Sequence, residues 1–167
     1  MTRPIRRFAW VVACVGLTLH VAVSGRTAKV EPFAVIVADG IAERGISPKN
    51  VALIFRRRQA YWGDGVRTQP VNLPASNAVR RAFSQCVLGE LPEAMENYWR
   101  EMYFHGVLPP HVVDSEQAVV LLVASTPGAI GYVSSCPKDV AVNVVFTVGE
   151  VPNCPKRSAP CESLQDS

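Results

Sequence analysis

Past its first 24 residues the chain has little of what hydrolytic or metal chemistry needs. Two histidines remain there, His105 and His111, flanking Gly106 and the Pro109-Pro110 pair in a connection between helices. Their irregular placement does not match a ligand pair for a metal, and they read as surface loop residues. There is no G-x-S-x-G, no H-E-x-x-H and no Walker loop. This excludes the nucleophile elbow, the zinc-protease helix and the phosphate-cradling P-loop. Net charge is also missing. Seventeen Lys and Arg face 14 Asp and Glu, but Arg3, Arg6 and Arg7 lie in the first 24 residues and no acid does, which leaves 14 of each. A neutral domain has no electrostatic footprint for nucleic acid. No later apolar run is long enough to span a bilayer. The expectation is a non-enzyme with no metal, no cofactor and no nucleic-acid partner.

What the chain does have begins with a leader. Arg3, Arg6 and Arg7 form a basic start, and Phe8 to Val23 is an apolar run of 16 residues interrupted by His20. Ala22 and Ser24 occupy the −3 and −1 positions of a cut before Gly25. A spanning helix needs about 20 apolar residues, so a cleaved export signal is the better reading. Two others stand beside it: a membrane anchor, and a lipoprotein cut before Cys14 preceded by Val11, Val12 and Ala13. Cleavage near Ser24/Gly25 places the product in a periplasm or outside the cell, with residues 1–24 as signal peptide and 25–32 as linker. One domain follows over 33–148, then a flexible C-terminal tail over 149–167.

The cysteines fit export. Cys14 leaves with the leader, and Cys86, Cys136, Cys154 and Cys161 remain, an even number for a compartment where disulfides persist. Four cysteines allow three connectivities. Cys154 with Cys161 is the favoured pair because they are neighbours in a Pro-rich tail, with Cys86–Cys136 as its complement. The alternative for Cys86 is a free buried thiol.

Hydrophobic patterning gives strands alternating with helices. Phe33–Ala38, Gln69–Leu73, Ala129–Val133 and Val140–Val148 read as strands. Ser47-Pro48 starts a helix whose face is Val51, Ile54 and Phe55, with Arg56, Arg57 and Arg58 in its last turn. Ser76 or Asn77 caps a second helix with the stripe Val79, Ala82, Phe83, Cys86 and Val87, ended by Gly89. Pro92 starts a third with the stripe Met95, Trp99, Met102 and Tyr103. Asp114 or Ser115 caps a fourth, apolar all round over Ala118–Ala124 and so expected to be buried. The fold class is α/β, a small mixed sheet flanked by helices.

Three segments in order carry a resemblance. Val51-Ala52-Leu53-Ile54-Phe55 is followed by Trp62-Gly63-Asp64-Gly65; then come Val71-Asn72-Leu73-Pro74 with Arg80-Arg81-Ala82-Phe83, and Pro127-Gly128-Ala129-Ile130-Gly131-Tyr132-Val133. Together they resemble the phosphate-type substrate-binding proteins of ABC importers, in the class II periplasmic binding protein superfamily. The resemblance covers about residues 33–147 and implies a single-lobe periplasmic-binding-protein-like domain, because the chain has residues for one of the family's two lobes. Trp62 reads as a core anchor. The family glycine after Ile-Phe is replaced by Arg56 or Arg57, and the Gly-Ser-Gly-Thr anion loop by Ser76-Asn77-Ala78-Val79.

The implied function is exported solute binding, with phosphate or another small oxyanion as ligand and an ABC transporter or membrane-associated partner. Ser76, Asn77, Arg80 and Arg81 are the candidate ligand-binding residues: hydrogen-bond donors and fixed charge at a helix start. The bland reading of the same residues is an N-cap and a solvated face. The alternative function is a non-catalytic accessory or interaction protein that reuses the lobe without a ligand. A homodimer could rebuild a two-lobed cleft between chains.

Overall fold

The run Phe33–Ala38 has no polar position and is rich in β-branched residues, which suits a strand covered on both faces. It forms β1 (Phe33–Ala38), and all six of its residues are buried. The structure, a computed structural model, describes residues 32–41, 46–138, 140–148 and 157–158. The other strands are β2 (Gln69–Asn72), β3 (His111–Val112), β4 (Ala129–Val133), β5 (Val142–Val148) and β6 (Arg157–Ser158). They form one mixed sheet in the order β3-β2-β4-β1-β5-β6. β2 runs parallel to β3 and β4, whereas β1 is antiparallel to β4 and β5, and β6 is antiparallel to β5. The β1–β5 register shifts between Val35, opposite Phe146, and Ile36, opposite Val144, so Val145 is the extra residue of a bulge.

Helices cover both faces, and β4 shows how. Side chains alternate across a strand. The Tyr132 ring stacks on Phe83 of α2 (Ala78–Phe83) at 4.0 Å and lies 5.7 Å from Phe55 of α1 (Pro48–Phe55). Its neighbour Gly131 faces the other way, onto α4 (Glu116–Ser125), where a Cβ would lie 2.4 Å from Val119 Cγ1. So α1 and α2 lie on one side of the sheet and α4 on the other. The resemblance segments meet in this core. Trp62 is 3% exposed, and its indole N–H donates to Gly128 O at 2.9 Å. Asp64 Oδ1 accepts from Val66 N at 2.9 Å, and Gly65 supplies the positive φ of the turn.

Several helical expectations need correction. The three arginines do not lie in the last turn of α1, which ends at Phe55. Arg56 is its C-cap, and Arg57 follows with φ 60. Arg58 N donates to Leu53 O and Arg57 N to Ile54 O, at 2.8 and 2.9 Å, which is a Schellman closure with arginine in the glycine position. The second helix loses its 3.6-residue period after Phe83 and continues as a wider π-type turn over Ser84–Leu88, ending at Gly89. The extra residue in that turn rotates the buried face, so Ser84 and Leu88 are buried while Cys86 and Val87 are only half-buried. Met95 is buried at the end of a 3₁₀ turn, but α3 (Glu96–Phe104) buries none of its own residues, and Tyr103 and Phe104 are exposed. Only Val119 and Val123 of α4 are buried; Leu121 is exposed, because a single sheet face covers one side of the helix. β5 begins half-exposed and is fully buried only from Phe146.

Candidate functional site

β2 delivers the chain to a turn, Leu73 to Asn77, closed by Asn77 N donating to Pro74 O at 3.0 Å. Of the two candidate caps, Asn77 is the one used. Its Oδ1 accepts from Val79 N at 2.8 Å and Arg80 N at 3.1 Å. It therefore satisfies two of the N–H groups a helix start leaves open. Ser76 is exposed beside it.

Arg80 turns inward and is only 7% exposed. Its Nη1 donates to the Tyr132 hydroxyl at 3.4 Å. That hydroxyl also accepts from Leu73 N at 3.2 Å and donates to Asn72 Oδ1 at 3.1 Å. Asn72, Tyr132 and Arg80 thus form a polar network at the C-terminal end of β2, inside an otherwise apolar layer. Two buried atoms beside it have no hydrogen-bond partner, Arg80 Nε and Ser84 Oγ, and they sit four residues apart on one helical face. Among the described residues no carboxylate pairs with Arg80. Burial pulls its guanidinium below the ordinary arginine range, and the nearby Tyr132 oxygen opposes that shift. Burial likewise pushes the Tyr132 phenol up to about 12, against the opposing pull of Arg80 and the Leu73 N–H.

Ser76, Asn77 and Arg80 therefore belong to one turn and its helix start, with Ser76 exposed, Asn77 spent as the cap and Arg80 turned inward. Arg81 does not: it leaves along the surface to an ion pair with Glu93. Arg56 is also occupied, donating to Leu88 O at 2.7 Å while its own carbonyl accepts from Tyr98 OH at 2.7 Å. Cys86 and Cys136 pack against the core and neither is a free thiol, so the free-thiol alternative for Cys86 does not hold. Cys154 and Cys161 lie outside the described residues, as do the leader and the cleavage position. Among the described residues no helix is long and apolar enough to cross a membrane, and no group of His, Cys, Asp or Glu could hold a metal ion. The sequence reading missed Asn72 and Tyr132 as partners of Arg80; the signal was Tyr132 in an otherwise small and apolar strand.

No protein-family model matches the chain, and no curated protein does. Solved structures do match. One is a protein assigned as a phosphate ABC transporter substrate-binding protein from Clostridium perfringens, with phosphate bound: 18% identity, TM-score 0.56, over 71% of this chain and 46% of that one. Another is an ABC-type phosphate transport receptor from Vibrio cholerae: 14% identity, TM-score 0.52, over 71% and 47%. The chain shares its fold with part of a phosphate-type substrate-binding protein. It spans less than half the length of each of these two relatives. The α/β class and the single-lobe resemblance expected from the sequence are what the comparison shows.

Proposed function

We propose that the chain is an exported, non-catalytic solute-binding protein that takes a small oxyanion, phosphate before others, at the β2–α2 turn for ABC-type uptake. The observation that carries the reading is Arg80: a buried cation with an unpartnered Nε, next to an unpartnered Ser84 hydroxyl. A buried unpaired charge costs several kcal/mol, and a bound oxyanion would supply the missing counter-charge. Ser76, exposed on the same turn, is a further hydroxyl donor for such an anion. Fold similarity to phosphate-type receptors supports the same ligand class. Export rests on the leader over residues 1–24 with its cut near Ser24/Gly25, and Cys86 and Cys136 not being free thiols fits an oxidising compartment. The domain division at 33–148, a periplasmic or secreted location and a homodimer that completes the cleft belong to the same proposal. Peptide mapping without reductant distinguishes the three cysteine connectivities.

The test is thermal unfolding of the cleaved chain in phosphate, in sulfate and in chloride at matched ionic strength. A ligand at one hundred times its Kd stabilises by about 2.7 kcal/mol. Phosphate or sulfate should raise Tm well above chloride, and Arg80→Gln should remove the difference. Equal Tm values in all three salts would sink the reading. One observation favours the second reading, an accessory protein that uses the lobe to dock. α3 buries none of its residues, and its end exposes Tyr103 at 65% and Phe104 at 81%.

A further inference from the structure

A second basic site lies at the other end of β2. A cavity of about 500 Å³ opens beside Arg67–Pro70, between the start of β2 and the segment that leads into β3. Its polar wall is Arg57, Arg67, Gln69 and His111, and its apolar wall includes Leu108 and Pro110. His111 is brought there by the parallel pairing of β3 with β2, opposite Val71. Along β2 the cavity residue Pro70 and the network residue Asn72 are two residue steps apart, about 7 Å.

Three features set the cavity apart from an ordinary surface dent. First, Arg57 and Arg67 lie close enough to repel: burial, then Arg67, lowers the affinity of the Arg57 guanidinium for its proton. Second, among the described residues neither arginine has an ion-pair partner, and Arg57 reaches only a carbonyl, Thr68 O, at 3.5 Å. Third, Arg57 is the one described non-glycine residue with positive φ, at 60. It holds the Schellman position that glycine fills at least strain. An arginine there is unfavourable for the backbone, yet it places a guanidinium on the cavity wall. A strained residue at a cavity is a reason to look for a ligand.

We propose that this cavity is a second binding site, for a small organic oxyanion whose charged group lies between Arg57 and Arg67 and whose body rests on Leu108 and Pro110. The volume falls in the range of small-molecule sites, larger than a bare phosphate fills. Planar, multidentate guanidinium donors suit carboxylate and phosphate alike. The site is independent of Arg80 and stands or falls separately from the proposed uptake function.

The experiment titrates the cleaved chain with phenyl phosphate, benzoate and phenol. Phenyl phosphate or benzoate should bind at least ten-fold more tightly than phenol. Arg57→Gly should weaken that binding at least ten-fold with Tm no lower than wild type, which separates lost contact from lost fold. Arg67→Gln should weaken it similarly, and Arg80→Gln should leave it unchanged. The proposal is overturned if neither organic anion binds, if both arginine variants bind as wild type does, or if only the Arg80 variant loses binding.

Discussion

Replacing Tyr132 by Phe removes one oxygen and three hydrogen bonds while leaving the ring stacked on Phe83. Tyr132, Leu73 and Asn72 are 0, 1 and 4% exposed, so water cannot take the place of the lost partner. Stranding a buried donor or acceptor costs about 1–3 kcal/mol. Two of the bonds have ordinary length and the Arg80 bond is long, so the loss at neutral pH should be about 2–4 kcal/mol. The phenol also makes the fold sensitive to alkali. With its folded value pushed up to about 12 from 10, the folded state holds this proton more tightly than the unfolded chain does. The stability it contributes is complete below about pH 10 and is lost as the pH rises from 10 to 12, by about 3 kcal/mol in total. Urea unfolding of wild type and Tyr132→Phe, at neutral pH and then from pH 9 to 12, reads both effects. The variant should be the weaker at pH 7, and the gap should narrow toward zero by pH 12. A gap below about 1 kcal/mol at neutral pH, or one that stays constant through the alkaline series, refutes the reasoning.

Other substitutions test the fold and its caps. Gly131→Ala drives a methyl to 2.4 Å from Val119 Cγ1 and 3.2 Å from Val123 Cγ2; it should destabilise by about 1–3 kcal/mol, and adding Val119→Ala should recover part of the loss in a double-mutant cycle. Gly128→Ala meets Arg67 O at 2.2 Å with φ +77, so backbone must move, and calorimetry should show a loss of about 3 kcal/mol or more. Asn77→Ala removes the cap of α2 and should lower stability in urea by about 1 kcal/mol, whereas Asn77→Ser should keep most of it. Arg57→Gly should raise Tm, because relief of the left-handed strain, about 1–2 kcal/mol, exceeds the added freedom of glycine in the unfolded chain, about 0.4–1 kcal/mol.

Much of the scaffold was legible in the sequence because short-range chemistry dictates it. Ser47-Pro48 starts α1, the β-branched run at Phe33 makes the central strand, and Pro127-Gly128 leads into β4. The candidate site was legible in its location but not in its wiring. Asn77 and Arg80 were named together, yet nothing local says that Arg80 folds inward onto Tyr132, 52 residues away, while Arg81 turns out to Glu93. The π-type turn at Ser84–Leu88 was invisible for a related reason: the stripe through Cys86 and Val87 assumes a constant 3.6-residue period. The arginine run was misplaced because a helix-dipole argument puts cations inside the last turn, whereas the helix closed one residue before them. His111 read as a loop residue because a two-residue edge strand leaves no periodicity to detect.

The measurement that bears most directly on the central claim is calorimetric titration of phosphate into the cleaved chain, wild type beside Arg80→Met. The methionine keeps an unbranched apolar stem in the pocket and removes the buried charge, so the variant should fold at least as stably as wild type without ligand. Oxyanion binding at the β2–α2 turn predicts saturable heat for wild type and none for Arg80→Met. No heat with wild type, or equal heat with both proteins, would contradict it.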